Sequence, residues 1–360
     1  MLLIEQQRYP IESVPRYNFS DVFVGGFGLP GGLVDLCLLS LEKLQRHRVE
    51  LTKLDDANIS FNPNAVAGSF EVIPLHPLRE DTSVVGIDVS SIRIGETAEG
   101  VLLAVRAAIV WNVHRTYHYL RLGPFLFHVT ENNKKQIFSL LRKYQNNVPV
   151  KIGAPDFIHL QTRIASVLER WIQSNLCSTC SNSLILLDGS LTAGTPDTPE
   201  SVVVKFLQMA RSRMNTVLAF SKFSRIRFNG QGLTEIAYKG APPCLVKVDG
   251  LEGMGDFKLL GNVYVTRFSD DAVCFRLDAD KNLLQPQVLD AVQKLLGNDL
   301  FHHSLGYPET LRLAHIYSTF TANEVIGMQR YLEQERELKI MIKPNIRRLL
   351  FGPFGKGSEV

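Results

Sequence analysis

From Ser83 onward the apolar positions fall into three long extended runs. SVVGIDVSSIRIGET closes in a turn at Thr97 to Gly100. VLLAVRAAIVWN follows, and HRTYHYLRLGPFLFHV is broken near Gly123-Pro124. Short connections between such runs predict an antiparallel meander. A polar helix is expected at Glu131 to Tyr144, as an addition to the core. The period then changes. Leu160, Ile164, Val167, Leu168 and Trp171 recur at helical spacing over Asp156 to Leu176. SLILLDGS reads as a short buried strand. Thr198 followed by Pro199 predicts a helix start, with Thr198 capping and Pro199 at the first helical position, running to Met214. TVLAFSK is the next strand. VYVTRF and AVCFRLD flank Ser269-Asp270-Asp271 as a hairpin, and helices at Pro286 to Leu296 and Glu309 to Met341 complete the pattern.

The expected order is strand, strand, strand, helix, strand, helix, strand. An antiparallel three-strand meander followed by alternating helices and parallel strands is the order of an α/β, RNase H-like mixed sheet with flanking helices and insertions. Residues 81–330 form this core. Residues 1–80 read as a separate N-terminal helical and loop segment, joined through SFEVIPLHPLRED. Residues 331–360 are a helix end and a basic tail.

Composition narrows the classes. The chain has 360 residues, 45% hydrophobic and 21% charged, which excludes wholesale disorder, collagen and coiled-coil rods. A net charge of +3 neither establishes nor excludes a basic groove. The most apolar stretch, Gly100 to Trp111, is short and carries Arg106, so no membrane span is expected. MLLIEQQRYP lacks the pattern of a secretory leader. Five scattered cysteines favour a reducing, cytoplasmic setting.

Several motifs carry little chemistry. Gly26-Phe27-Gly28-Leu29-Pro30-Gly31 matches G-x-G-x-x-G, but no parallel βαβ unit follows, and it reads as a loop. No G-x-x-x-x-G-K-[ST] occurs, so the chain does not read as a P-loop ATPase. Cys177 and Cys180 form C-x-x-C without a second close pair, as buried or incidental thiols would. His114, His118 and His128 read as surface or packing residues.

The carboxylates say more. Asp88 lies within the first strand and Asp188 ends the fourth, its neighbour in this topology. A carboxylate after a buried parallel strand points into the crevice at the strand's carboxyl end. Each Asp alone also reads as a turn former. Two together are costly unless a cation neutralises them, and oxygen ligands suit Mg²⁺ or Mn²⁺. Glu169 borders the buried stripe of its helix and is the third candidate; it also reads as a solvated partner of Arg170. His315 can ligate a metal or move a proton, and Tyr307 can donate to a phosphate. Both also read as packing residues.

VVGIDVSS, Glu169, LILLDGSL, the Lys222 of LAFSK and YPETLRLAH, in this order and spacing, resemble the NurA nucleases of archaea and some bacteria. The similarity runs from about Ser83 to Arg330. Relatives often carry Asp-Gly-Ser where this chain has Asp88-Val89-Ser90. The resemblance implies a DNA nuclease with 5′ to 3′ polarity and single-strand endonuclease activity. It implies Asp88, Glu169, Asp188 and His315 as the metal set, with Tyr307 beside them. It also implies Mn²⁺, with Mg²⁺ possible, and phosphodiester hydrolysis itself calls for two ions, to activate a water and to stabilise the leaving oxygen. The implied partners are single- and double-stranded DNA, a HerA-type hexameric ATPase in double-strand break resection, and a second copy of the chain as homodimer. Lys222, Arg163, Arg170 and Arg225 are candidate phosphate contacts.

Two other readings stay open. An actin-like or sugar-kinase-like ATP-binding protein shares this core topology, although GIDVSSIRIG lacks the glycine that admits a phosphate. A catalytically inactive scaffold that binds DNA or a partner would keep the fold without the chemistry.

Overall fold

The computed structural model describes residues 11–13, 71–143 and 156–336, with short breaks at 196–197, 223, 225, 229–230, 236–239, 250, 252–257, 271–272 and 303, and residue 340. The Gly26–Gly31 loop, the helical pattern after it, Arg225 and the basic tail lie outside them.

The strands are β1 (Ile11–Ser13), β2 (Glu71–Pro74), β3 (Ser83–Glu96), β4 (Gly100–Val113), β5 (Thr116–Thr130), β6 (Ser183–Asp188), β7 (Thr192–Ala193), β8 (Thr216–Ser221), β9 (Arg227–Phe228), β10 (Gln231–Gly232), β11 (Cys244–Val248), β12 (Lys258–Leu259), β13 (Gly261–Arg267) and β14 (Phe275–Asp280). The helices are α1 (Lys134–Lys143), α2 (Phe157–Thr179), α3 (Glu200–Ser212), α4 (Gln285–Asn298), α5 (Glu309–Ser318) and α6 (Ala322–Arg336). Ten strands form one mixed sheet in the order β1-β5-β4-β3-β6-β8-β14-β13-β11-β2. β3, β4 and β5 are antiparallel, and β3, β6 and β8 are parallel. An antiparallel extension, β14-β13-β11-β2, continues from β8. Ile11–Ser13 and Glu71–Pro74, from the segment set apart in the sequence, both pair into this sheet.

β4 is buried almost end to end, which is why its sequence is continuously apolar rather than alternating. On one face α1, α2 and α3 bury Ile137, Phe138, Leu160, Ile164, Leu168, Phe206 and Leu207 against Val85, Ile87, Val105 and Ile109. On the other face α4 and α5 pack Val288, Val292, Leu295 and Leu311 against Val84, Leu184 and Leu186. Among the described residues no helix is long and apolar enough to cross a membrane.

Four local expectations change. α1 is part of the core, because Ile137, Phe138 and Leu141 form one buried stripe. β5 runs through Gly123-Pro124, and the disturbance is taken up as a register shift between Val105 and Ala107 on β4. Thr198 does not cap α3. Its backbone is tied to Thr195, and Pro199 takes the cap position in extended conformation. The single helix expected from Glu309 is two, because Thr321 and Glu324 start a new one. Thr321 N donates to Glu324 Oε2 at 2.9 Å and Glu324 N to Thr321 Oγ1 at 3.3 Å.

One close approach places α5. A Cβ on Gly86 would stand 2.9 Å from Thr310 Cγ2 and 3.3 Å from the Thr310 backbone. Gly86→Ala is therefore expected to lift α5 from β3 and cost about 1–3 kcal/mol. Thermal unfolding measures the cost, and Mn²⁺ binding by the same variant is expected to weaken with it. An alanine variant matching wild type in both would show that α5 is placed by other contacts.

Candidate metal centre

β3 and β6 pair in parallel with Ile87 opposite Leu187. The next residues on each strand, Asp88 and Asp188, therefore stand side by side. Alternation puts Gly86, Asp88 and Ser90 on the β3 face that carries α5. α5 lies along that face. Thr310 sits over Gly86 at one end, and Ser318 meets Ser90 at the other, Oγ to Oγ 2.9 Å. Four residues of strand and eight of helix both advance about 12–13 Å, so these contacts share one register. His315, in the last turn of α5, reaches Asp88 between them, with Nδ1 3.2 Å from Oδ2.

Asp88, Asp188 and His315 offer one ligand atom each, all within 4.8 Å of one another. Each carboxylate has a basic neighbour. His315 attends Asp88, and Lys222 Nζ donates to Asp188 Oδ2 at 2.8 Å. Two carboxylates and an imidazole, two of the groups partly exposed, suit one divalent cation of the Mg²⁺ or Mn²⁺ class. The trio does not include Glu169, which approaches from α2 on the opposite face. Its Oε1 accepts from Gln173 Nε2 at 2.8 Å, and Gln173 Oε1 accepts from Arg170 at 2.6 Å. Burial pushes the Glu169 carboxyl up to about 7, and the charges of Asp88 and Asp188 add to the rise; Arg170 and Gln173 oppose it.

Tyr307 is buried, its ring against Phe220 and Phe275, and its hydroxyl has no hydrogen-bond partner among the described residues. Burial, with the negative charge of Asp188 and Asp88, raises its pKa and keeps the phenol protonated. An unpaired buried donor in the field of two carboxylates fits a site that takes a further anionic or cation-bound group. Lys222 Nζ lies 5.4 Å from the centre of the Tyr307 ring.

The supporting residues are ones that the sequence pattern did not single out. Asp299 caps α5 from a distance, accepting from Thr310 N at 3.2 Å, Thr310 Oγ1 at 2.8 Å and Tyr117 OH at 2.5 Å. The loop after Asp188 begins at Gly189, whose φ of +114° favours glycine. That loop is held by Ser221 Oγ donating to Gly189 O at 2.6 Å and Leu191 N donating to Asp278 Oδ2 at 2.9 Å. The corner between α5 and α6 is bolted to β4 by buried Arg106, which donates to Glu324 at 2.7 and 3.2 Å and to Thr319 O at 3.3 Å. Of the candidate phosphate contacts, Lys222 is beside the centre and Arg170 is engaged with Gln173. Arg163 lies half-buried on α2. Cys177, Cys180, Cys244 and Cys274 are buried free thiols, and burial pushes the Cys180 thiol up to about 12. His114 is exposed, His118 stacks on Trp111, and His128 is buried, its pKa lowered to about 4 by burial.

No family model matches the sequence, and no curated protein matches it. Solved structures do. The NurA nuclease from Sulfolobus solfataricus is 16% identical, with 76% of this chain and 90% of that one covered and a TM-score of 0.44. The chain is similar to NurA nucleases. A second NurA structure is 9% identical, covering 74% of this chain and 91% of its own, at a TM-score of 0.38. Endonuclease V from Bacillus subtilis is 12% identical, with 73% and 88% covered and a TM-score of 0.33. Identities this low transfer no residue roles.

Proposed function

We propose that the chain is a metal-dependent DNA nuclease with an RNase H-like core, hydrolysing phosphodiester bonds with two divalent ions, Mn²⁺ or Mg²⁺. The observation that carries this reading is the Asp88–Asp188 pair, side by side on parallel strands with His315 across it and ligand atoms within 4.8 Å. The DNA substrate and the finer assignments draw on the motif resemblance. Those assignments are 5′ to 3′ exonuclease and single-strand endonuclease action, work with a HerA-type ATPase in end resection, and a homodimer.

Asp88 and Asp188 would hold the ions, with His315 and Glu169 completing the ligand set. Bound divalent ions supply an activated water and neutralise charge on the leaving oxygen. Tyr307 keeps its proton and offers it to a phosphate oxygen. Lys222 balances Asp188 and can exchange that partner for a backbone phosphate. In the metal-free protein burial pushes the Glu169 carboxyl up to about 7, and a cation beside it would favour the ionised, ligating form.

The test is digestion of 5′-labelled and 3′-labelled single- and double-stranded DNA with Mn²⁺, Mg²⁺ or EDTA. Cleavage with Mn²⁺ that EDTA abolishes is expected, and the two labels report polarity. Folded protein that cuts nothing in either metal, with or without a HerA-type ATPase, would contradict the nuclease reading. Nucleotide-dependent stabilisation in that case would point to ATP binding.

A further inference from the structure

Ser318 is fully buried at the end of α5, and its hydroxyl carries one proton for three oxygen neighbours. These are Asp88 Oδ2, Ser90 Oγ at 2.9 Å and the His315 carbonyl at 3.0 Å. Only the Asp88 oxygen is charged, so the proton goes to it. Ser90 then donates to Ser318, and a chain of two hydroxyls ends on the carboxylate. Asp88 Oδ2 is held from two sides, by Ser318 Oγ and by His315 Nδ1. Asp88 Oδ1 has no side-chain partner among the described residues.

We propose that Ser318 is a positioning residue of the metal centre. By holding one oxygen it fixes the orientation in which Asp88 meets a divalent cation and leaves the other oxygen free. The chain is rooted in rigid structure. Ser90 lies opposite Arg106 across β3 and β4, and Arg106 clamps the segment that follows Ser318 through Thr319 O and Glu324. Asp88 is therefore placed by α5, not by its own strand alone. Partners that orient a metal ligand are commonly worth 10–100-fold in metal affinity.

The proposal rests on the metal-centre reading, and the experiment separates the two. Free Mn²⁺ is followed by its electron paramagnetic resonance signal while full-length protein is titrated, for wild type, Ser318→Ala, Ser318→Cys, Ser90→Ala and Asp88→Asn. Ser318→Ala is expected to bind Mn²⁺ about tenfold more weakly, with its thermal midpoint in EDTA close to that of wild type. Ser318→Cys keeps the volume with a weak donor and is expected to fall between them, which preserves the test if the alanine variant folds poorly. Ser90→Ala leaves the Ser318 donation in place and is expected to lose less than Ser318→Ala. If Asp88→Asn loses Mn²⁺ while both Ser318 variants bind like wild type, the positioning role is overturned and the centre stands. If Asp88→Asn binds Mn²⁺ like wild type, the centre itself is overturned, and the positioning role with it.

Discussion

Asp88→Asn is expected to lower Mn²⁺-dependent DNA cleavage about 1000-fold, which is about 4 kcal/mol of transition-state stabilisation. The substitution is nearly isosteric, and the amide oxygen still accepts from Ser318. What disappears is one of the two charges that a divalent cation must balance. Asp88 and Asp188 stand side by side, so the apo protein loses a like-charge repulsion at the same time. The thermal midpoint of Asp88→Asn in EDTA should therefore equal or exceed that of wild type. Rate loss without stability loss identifies a functional carboxylate. A variant within tenfold of wild-type rate, or one that has lost both activity and stability, would refute the assignment.

Glu169→Gln is expected to stabilise the metal-free protein above neutral pH. Burial pushes the Glu169 carboxyl up to about 7 in the metal-free folded chain, against an ordinary value near 4.5. Its folded-state pKa is raised, so the folded state holds the extra proton between these values. Stability falls as pH rises through that window, and the full cost is present above about pH 7. Glu169 is half-buried by its surface area, so the shift is discounted to about 2–3 kcal/mol. Gln keeps the acceptor for Gln173 Nε2 and removes the charge. Denaturant unfolding in EDTA should show the variant ahead of wild type at pH 8 and level with it below pH 4.5. With metal present the order is expected to reverse in function. A bound cation favours the ionised carboxylate, so the variant is expected to lose most of its rate at pH 8 although it is the more stable protein without metal. A variant less stable than wild type at pH 8 without metal would show that burial does not strain this carboxylate.

Much of this arrangement is legible in the sequence because it depends on short-range signals. The alternation in SVVGIDVSS and the apolar run of LILLD define two strands, and the helical crossover after the meander lays the second beside the first in parallel. Strand order makes the two strands neighbours, and the register, Ile87 opposite Leu187, brings Asp88 level with Asp188. Glu169 was legible only as a border residue on its helix, since nothing local shows that α2 brings it toward a site on the other face. His315 and Tyr307 read equally well as packing residues, and only the α5 crossing of β3 joins His315 to Asp88. That crossing depends on Gly86, which looks like any strand glycine until Thr310 is placed over it.

The supporting residues were hidden for a different reason. Asp299 and Thr310, Asp278 and Leu191, and Ser318 and Asp88 are separated by 11, 87 and 230 positions. No periodicity or motif encodes such pairs. The start of α6 was a missed local signal, because Thr321 and Glu324 carry the spacing of a reciprocal cap. The threonine–proline pattern at Thr198 fits a cap, but the Thr198 backbone is committed to Thr195.

Asp88, Asp188 and His315 are placed to meet on one divalent cation. Crystals grown with Mn²⁺ and measured for anomalous scattering test it most directly. A peak is expected in coordination contact with a carboxylate oxygen of both Asp88 and Asp188, about 2.0–2.2 Å away as for a hard divalent ion, and absent from Asp88→Asn crystals. Full Mn²⁺ occupancy elsewhere on the molecule, with these three side chains uncoordinated, would contradict it.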